Sequence, residues 1–191
     1  MKKITLLLAF MLCIVTESYS QVSGYAFSES TESYTAVVGT ASTAVGDDGI
    51  QNLVPIGFTF KYDGIDYTDF GISTNGWIKM GTVAIGTSSW TNSLSNTATH
   101  RPLIAPFWDD HNRNTGSIQY NVSGITPDRI LEIGWDSINL GNNGGASATA
   151  FGSFKMRLFE SNGQIEFIYG STMTPAGTLC PPKVPTVTFI S

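Results

Sequence analysis

The chain has 191 residues, 41% hydrophobic and 13% charged, with 20 glycines and a formal net charge of −5, enough for one domain with its own core rather than several. The acidic balance and singly scattered Lys and Arg exclude a nucleic-acid coat, which needs clustered cations facing phosphates. Charged residues run at about half the usual quarter of a soluble protein, so Ser, Thr, Asn and Gly must supply the polar surface, as in β-rich extracellular domains.

Met1-Lys2-Lys3 is a positive start, Ile4 to Val15 an apolar run, and Thr16-Glu17-Ser18-Tyr19-Ser20 a polar close with small residues at 18 and 20. This pattern predicts a secretory signal over residues 1–20, cut after Ser20. The run is shorter than the ~20 residues of a membrane span, so no span is expected. Phe10-Met11-Leu12 lacks the small residue of a lipoprotein site, so Cys13 leaves with the signal. Cys180 then stands alone without an intrachain disulfide, either buried as a small hydrophobe or paired with another chain. Removing residues 1–20 leaves 8 basic and 14 acidic residues, and the net charge moves to −6.

Residues 21–191 read as a single all-β domain, because apolar period-2 alternation recurs beside turn residues and no sustained 3.6 period occurs. Ser33 to Val38 is expected as an outer strand. Ile56 to Tyr62 is the clearest strand, with Ile56, Phe58, Phe60 and Tyr62 inward, and Asp63-Gly64 forms its two-residue turn. Ile65 and Tyr67 share one phase but Phe70 and Ile72 the other, which predicts a bulge near Thr68-Asp69. Asn75-Gly76 is a second turn of the same chemistry, leading into Trp77 to Met80. Ile118 to Val122 and Leu131 to Trp135 pair across Thr126-Pro127-Asp128. Phe154 to Leu158 and Ile165 to Tyr169 pair across Asn162-Gly163, with Lys155, Arg157, Gln164 and Glu166 outward. Pro185 to Ile190 supplies another outer strand and breaks off early. About ten strands predict an antiparallel two-layer β-sandwich, jelly-roll-like in outline. Gly81 to His100 and Gly141 to Ala148 carry no strand pattern and are expected as loops.

Pro55-Ile56-Gly57-Phe58-Thr59-Phe60-Lys61-Tyr62-Asp63-Gly64, then Ile72-Ser73-Thr74-Asn75-Gly76-Trp77, then Ile104-Ala105-Pro106-Phe107-Trp108-Asp109-Asp110 form an ordered set, continued by Trp135, Phe154 to Phe159 and Ile165 to Gly170. This set resembles the nidogen-like extracellular domain and the related β-sandwich modules of secreted Bacteroidetes surface proteins, over about residues 25 to 170. The resemblance implies an extracellular or cell-surface adhesion module with no catalytic residues. The long Gly81–His100 loop and the early end depart from it.

Asp109, Asp110, Asn112 and Asn114 form the densest oxygen cluster, and Asp110-x-Asn112-x-Asn114 has the 1,3,5 spacing by which a loop wraps a hard cation. Thr115 and Asn121 stand where an EF-hand needs Gly and Glu, so the alternatives are a Ca²⁺ loop of another kind and an Asx-turn cluster. Calcium is the one cofactor considered. Trp90, in the polar stretch Ser88-Ser89-Trp90-Thr91-Asn92, is either a platform for a sugar ring or partner side chain, or a plug for the sandwich end. His100 and His111 sit in no metal or triad pattern, and no nucleophile or phosphate motif is present, so no enzyme is expected. The expected partner is an extracellular protein, with a glycan as the alternative.

Overall fold

A computed structural model of the chain describes residues 25–92, 99–141, 151–171 and 185–190, the last stretch through its backbone alone. The signal segment, both cysteines and most of the Gly141–Ala148 loop lie outside these residues. Eleven strands are described, and we number them in chain order: β1 Ala26–Thr31, β2 Thr40–Ala41, β3 Ile50–Tyr62, β4 Ile65–Ser73, β5 Trp77–Met80, β6 Leu103–Ile104, β7 Ser117–Ser123, β8 Ile130–Asn139, β9 Phe151–Phe159, β10 Ile165–Tyr169 and β11 Pro185–Ile190.

They form two antiparallel sheets, one ordered β1-β11-β10-β9-β8-β7-β2 and the other β3-β4-β5-β6. The expected two-layer sandwich is present. Its wiring is by meanders: the chain starts in the larger sheet, runs β3 to β6 through the smaller, and returns for β7 to β11, where a jelly roll would alternate between layers. The core fills the space between, with Ile56, Phe60, Phe70, Ile72 and Ile78 from one layer facing Ile118, Leu131, Ile133, Trp135, Phe154 and Met156 from the other, all almost fully buried.

The turns follow from local chemistry, with one refinement. Asp63 and Gly64 have φ of 50° and 74°, and Tyr62 pairs with Ile65, as a two-residue primed turn requires. The Asn75-Gly76 connection is longer than expected: Ser73 pairs with Trp77, so three residues intervene and only Gly76 has positive φ. That is the type I turn plus left-handed glycine of a three-residue hairpin.

Four expectations need correction. The irregularity opposite Thr68 lies in β3, where register shifts between Pro55 and Phe60 and between Gln51 and Val54, and where Leu53 and Gly57 have positive φ. The surplus residues are on the partner strand, so the change of phase in β4 reflects β3's kinks. Ser33 to Val38 is no strand; β1 precedes it, and it crosses the outer face of the large sheet. There Val37 is 2% exposed and packs where Gly134 has no side chain, since a Cβ would lie 2.7 Å from Val37 Cγ2. Lys155 is therefore not a solvent-facing residue: only 1% exposed, it lies under this strap. Its Nζ donates to Glu132 Oε1 at 2.9 Å and Thr35 Oγ1 at 3.4 Å, while Arg157 reaches Glu132, Glu32 and Glu166. Tyr34 donates its hydroxyl to Asp136 in the same layer. β11 is not an outer strand either, because β1 pairs along its far side.

Candidate functional site

The β4–β5 turn is the centre of one end of the sandwich. Asn75 is fully buried and uses each of its polar groups: its backbone N–H donates to Ser73 Oγ at 3.0 Å, and its Nδ2 donates to Asp48 Oδ1 at 2.8 Å and Ser88 Oγ at 2.9 Å. Its Oδ1 accepts from the His111 N–H at 2.9 Å, and Ser73 and Ser88 share a hydroxyl bond of 2.5 Å. Thr74 donates its hydroxyl to the Asp47 carbonyl. One side chain thus ties together the segments at 47–49, 73–76, 88–92 and 107–111. Buried polar groups fully satisfied in this way fix one loop arrangement. Gly76 permits the closest approach, for a Cβ there would sit 1.9 Å from the Phe107 carbonyl oxygen.

Three indoles complete the frame. The Ser89 carbonyl accepts from Trp77 Nε1 at 3.1 Å and from Trp108 Nε1 at 2.8 Å, and Trp135 Nε1 donates to the Ser73 carbonyl at 3.0 Å. Tyr169 donates its hydroxyl to the Pro106 carbonyl at 2.6 Å. Residues that carry the family resemblance therefore meet each other at this end: the Ser-Thr-Asn-Gly turn, the Ala-Pro-Phe-Trp segment, Trp135 and the Tyr169 strand. Between the anchored Ser89 and Thr91, Trp90 is 53% exposed. The indole therefore stands exposed at this end of the sandwich.

Of the four oxygen ligands considered for calcium, Asp109 Oδ1 accepts from the Asp110 N–H at 2.8 Å, a bond to the next residue where an Asx-turn would reach two residues on. Asn112 is held in an isolated bridge to Asn139, and its Oδ1 is buried without a partner. Asn114 is exposed. Among the described residues no group of three or more His, Cys, Asp or Glu side chains is placed to hold a metal. The acids that do gather around Asp110 are Asp47, Asp48 and Asp109. Burial, then their negative charge, pushes the Asp110 carboxyl above its ordinary value. Asp47 and Asp48 were invisible as members of this rim, because they precede Asp109 by some sixty positions and only the Asn75 bonds bring the two loops together.

The histidines are structural in their contacts. His111 is fully buried between Phe107 and Phe154; its Nε2 bonds the Phe107 carbonyl at 3.0 Å and its Nδ1 accepts from the Gly141 N–H at 3.4 Å. Burial drives its pKa down to about 4, against the smaller opposing effects of the Phe107 carbonyl and Asp109. His100 packs on Trp77 with centroids 5.2 Å apart.

Fold and site together define a β-sandwich module with a braced loop end. A family model described as NIDO-related matches residues 24–181, and the chain belongs to this nidogen-related family. No significant match was found among curated proteins or solved structures. The family suggests an extracellular context and a protein-interaction module. No helix among the described residues is long and apolar enough to cross a membrane.

Proposed function

We propose that the domain is secreted and non-catalytic, and that it mediates adhesion or protein contacts at a bacterial cell surface through the loop end around Trp90. The observation that carries this is the exposed indole on a braced loop: Trp90 is 53% exposed while the preceding carbonyl is held by two buried or half-buried tryptophans. A large aromatic presented on a fixed backbone contributes contact area with little ordering cost, the usual property of a binding hot spot. Asp47, Asp48, Asp109 and Asp110 give this end a negative rim, which complements a basic partner surface and steers its approach.

A carbohydrate-binding reading rests on the same indole, flanked by Ser88, Ser89, Thr91 and Asn92, since a flat apolar face beside hydroxyls and amides suits a sugar ring. A screen of the wild type and Trp90→Ala against extracellular matrix proteins and a glycan array, with and without millimolar Ca²⁺, tests both. A protein hit weakened at least tenfold by Trp90→Ala supports the adhesion reading, and a glycan hit so weakened supports the alternative. No binding in either format overturns both. The calcium arm reads Asp109, Asp110, Asn112 and Asn114: an ion held there raises the melting temperature, and an unchanged melting temperature removes calcium from the account.

A further inference from the structure

Away from the Asn75 hub, the other end of β4 and β5 borders an open cavity of about 510 Å³. Its wall contains Lys79, an unusual place for an ammonium: the residue is 4% exposed, on the outer face of the small sheet. Its Nζ donates to the Thr99 carbonyl at 2.9 Å, and among the described residues no carboxylate stands within ion-pair distance of it. The internal stretches that are not described hold no Asp or Glu, so they add no acidic side chain to the region. An ammonium taken out of water is normally paired with a carboxylate, as Lys155 is with Glu132 in the opposite layer. Lys79 has a neutral carbonyl instead, in the wall of a cavity. Its charge is felt nearby, for burial first and the Lys79 ammonium second hold the His100 pKa below its ordinary value.

The remaining wall defines the rest of the ligand. Arg101 adds a second cation, Thr68 and Thr82 add hydroxyls, and the Tyr67 ring adds a flat apolar face. Asp66, in the same wall, is held by Lys61 at 2.7 Å and presents an acceptor for hydroxyl donors. We propose that this cavity is a binding site for an acidic saccharide, whose ring carboxylate pairs with Lys79 and whose hydroxyls meet Thr68, Thr82 and Asp66. The volume suits a disaccharide, within the range of ordinary ligand pockets. Cations alone would accept any anion; the hydroxyls, the carboxylate acceptor and the aromatic face select a polyhydroxylated ring. The site is independent of Trp90 and of the protein-contact reading, since none of the residues around Asn75 lines it.

The probe is a digalacturonate, titrated calorimetrically into the full chain at low and moderate salt, beside the same disaccharide with its carboxylates reduced to alcohols. Wild type is expected to bind the diuronate at least tenfold more tightly than the reduced sugar, with affinity falling as salt rises. Lys79→Met keeps the length and burial of the side chain while removing the charge, and should lower affinity at least tenfold. Val83→Glu, on the cavity wall where Val83 is 71% exposed, repels the anion without touching the core and should weaken binding as well. No diuronate binding by wild type, or wild-type affinity retained by Lys79→Met or by Val83→Glu, overturns the proposal. So does a blocked diglutamate peptide that binds as tightly as the diuronate, since the cavity would then read charge and not the sugar.

Discussion

His111 shows how one side chain can carry both a structural role and a pH dependence. It sits between two phenylalanine rings with both ring nitrogens engaged, and burial keeps it neutral down to about pH 4. In the unfolded chain it titrates near 6.5. Above that value neither state is charged and the residue contributes nothing to the pH dependence. Below it the unfolded chain binds a proton that the folded chain excludes, so stability falls with pH until about pH 4, by about 3 kcal/mol in full. His111→Gln should flatten the profile of urea-unfolding free energy between pH 6.5 and 4.5. The shallower slope from His100, whose pKa is lowered in the same direction, should remain. An identical slope in wild type and variant would show that the imidazole is not held neutral by its burial. None of this was legible in the residues around it: Asp109 and Asp110 suggested an exposed, polar neighbourhood, whereas the chain turns His111 inward against Phe107 and Phe154.

At the level of elements, the period-2 pattern was a sound guide to which face of β3, β9 and β10 meets the core, because apolar burial sets strand register directly. It was no guide to the opposite face. Lys155 and Arg157 alternate with apolar residues as solvent-facing charges should, yet the Glu32–Val38 strap covers them. A covering segment with no strand pairing leaves no periodic signature, and Val37 finds its seat only through the missing side chain of Gly134. The consequence is energetic. Burial alone would raise the Glu132 carboxyl, but hydrogen bonds from Arg157 and Lys155 overcome it and hold the group below its ordinary value. Glu132→Gln should therefore cost about 3 kcal/mol, because it leaves the Lys155 ammonium buried without its carboxylate. Lys61→Ala, which breaks the exposed pair with Asp66, should cost less than about 1 kcal/mol. Chemical denaturation of the two variants checks the contrast, and similar losses for both would deny the strap its part in burying the pair.

For the molecule as a whole, membership of the nidogen-related family and the two-layer sandwich were both legible, since each rests on segments whose order and hairpin chemistry are local. The candidate site was legible only in pieces. Trp90 stood out as an aromatic in a polar run, but the hub that braces it is built from Asn75, Ser73 and Ser88, residues that read locally as turn and loop formers. Lys79 gave no signal either, since a single Lys in a short strand is ordinarily a solvated one. Long-range pairing was the hardest to foresee: β1 lies against β11, with Ala26 opposite Ile190 and Thr31 opposite Pro185. Among the described strands β11 is the only neighbour of β1, and it also covers β10. Deleting residues 185–191 should thus release β1 as well as β11, seen as loss of amide hydrogen-exchange protection over 26–31, and expose the β10 edge to intermolecular pairing. Retained protection over 26–31 would mean that β1 is held by something other than this strand.

The same pairing orders events in time. The first described strand of the chain has no partner until the last has been synthesised, whereas the β3–β4 and β7–β8 hairpins close across short connections and need nothing downstream. Closing a loop of this length is a slow, entropically costly step, so a chain emerging in order would assemble the inner strands of both sheets first. It would carry residues 26–31 unpaired until residues 185–190 have emerged. Refolding should show protection arriving in β8 and β9 before β1, and the β1 edge of the large sheet is the part of the fold that registers whether β11 is in place.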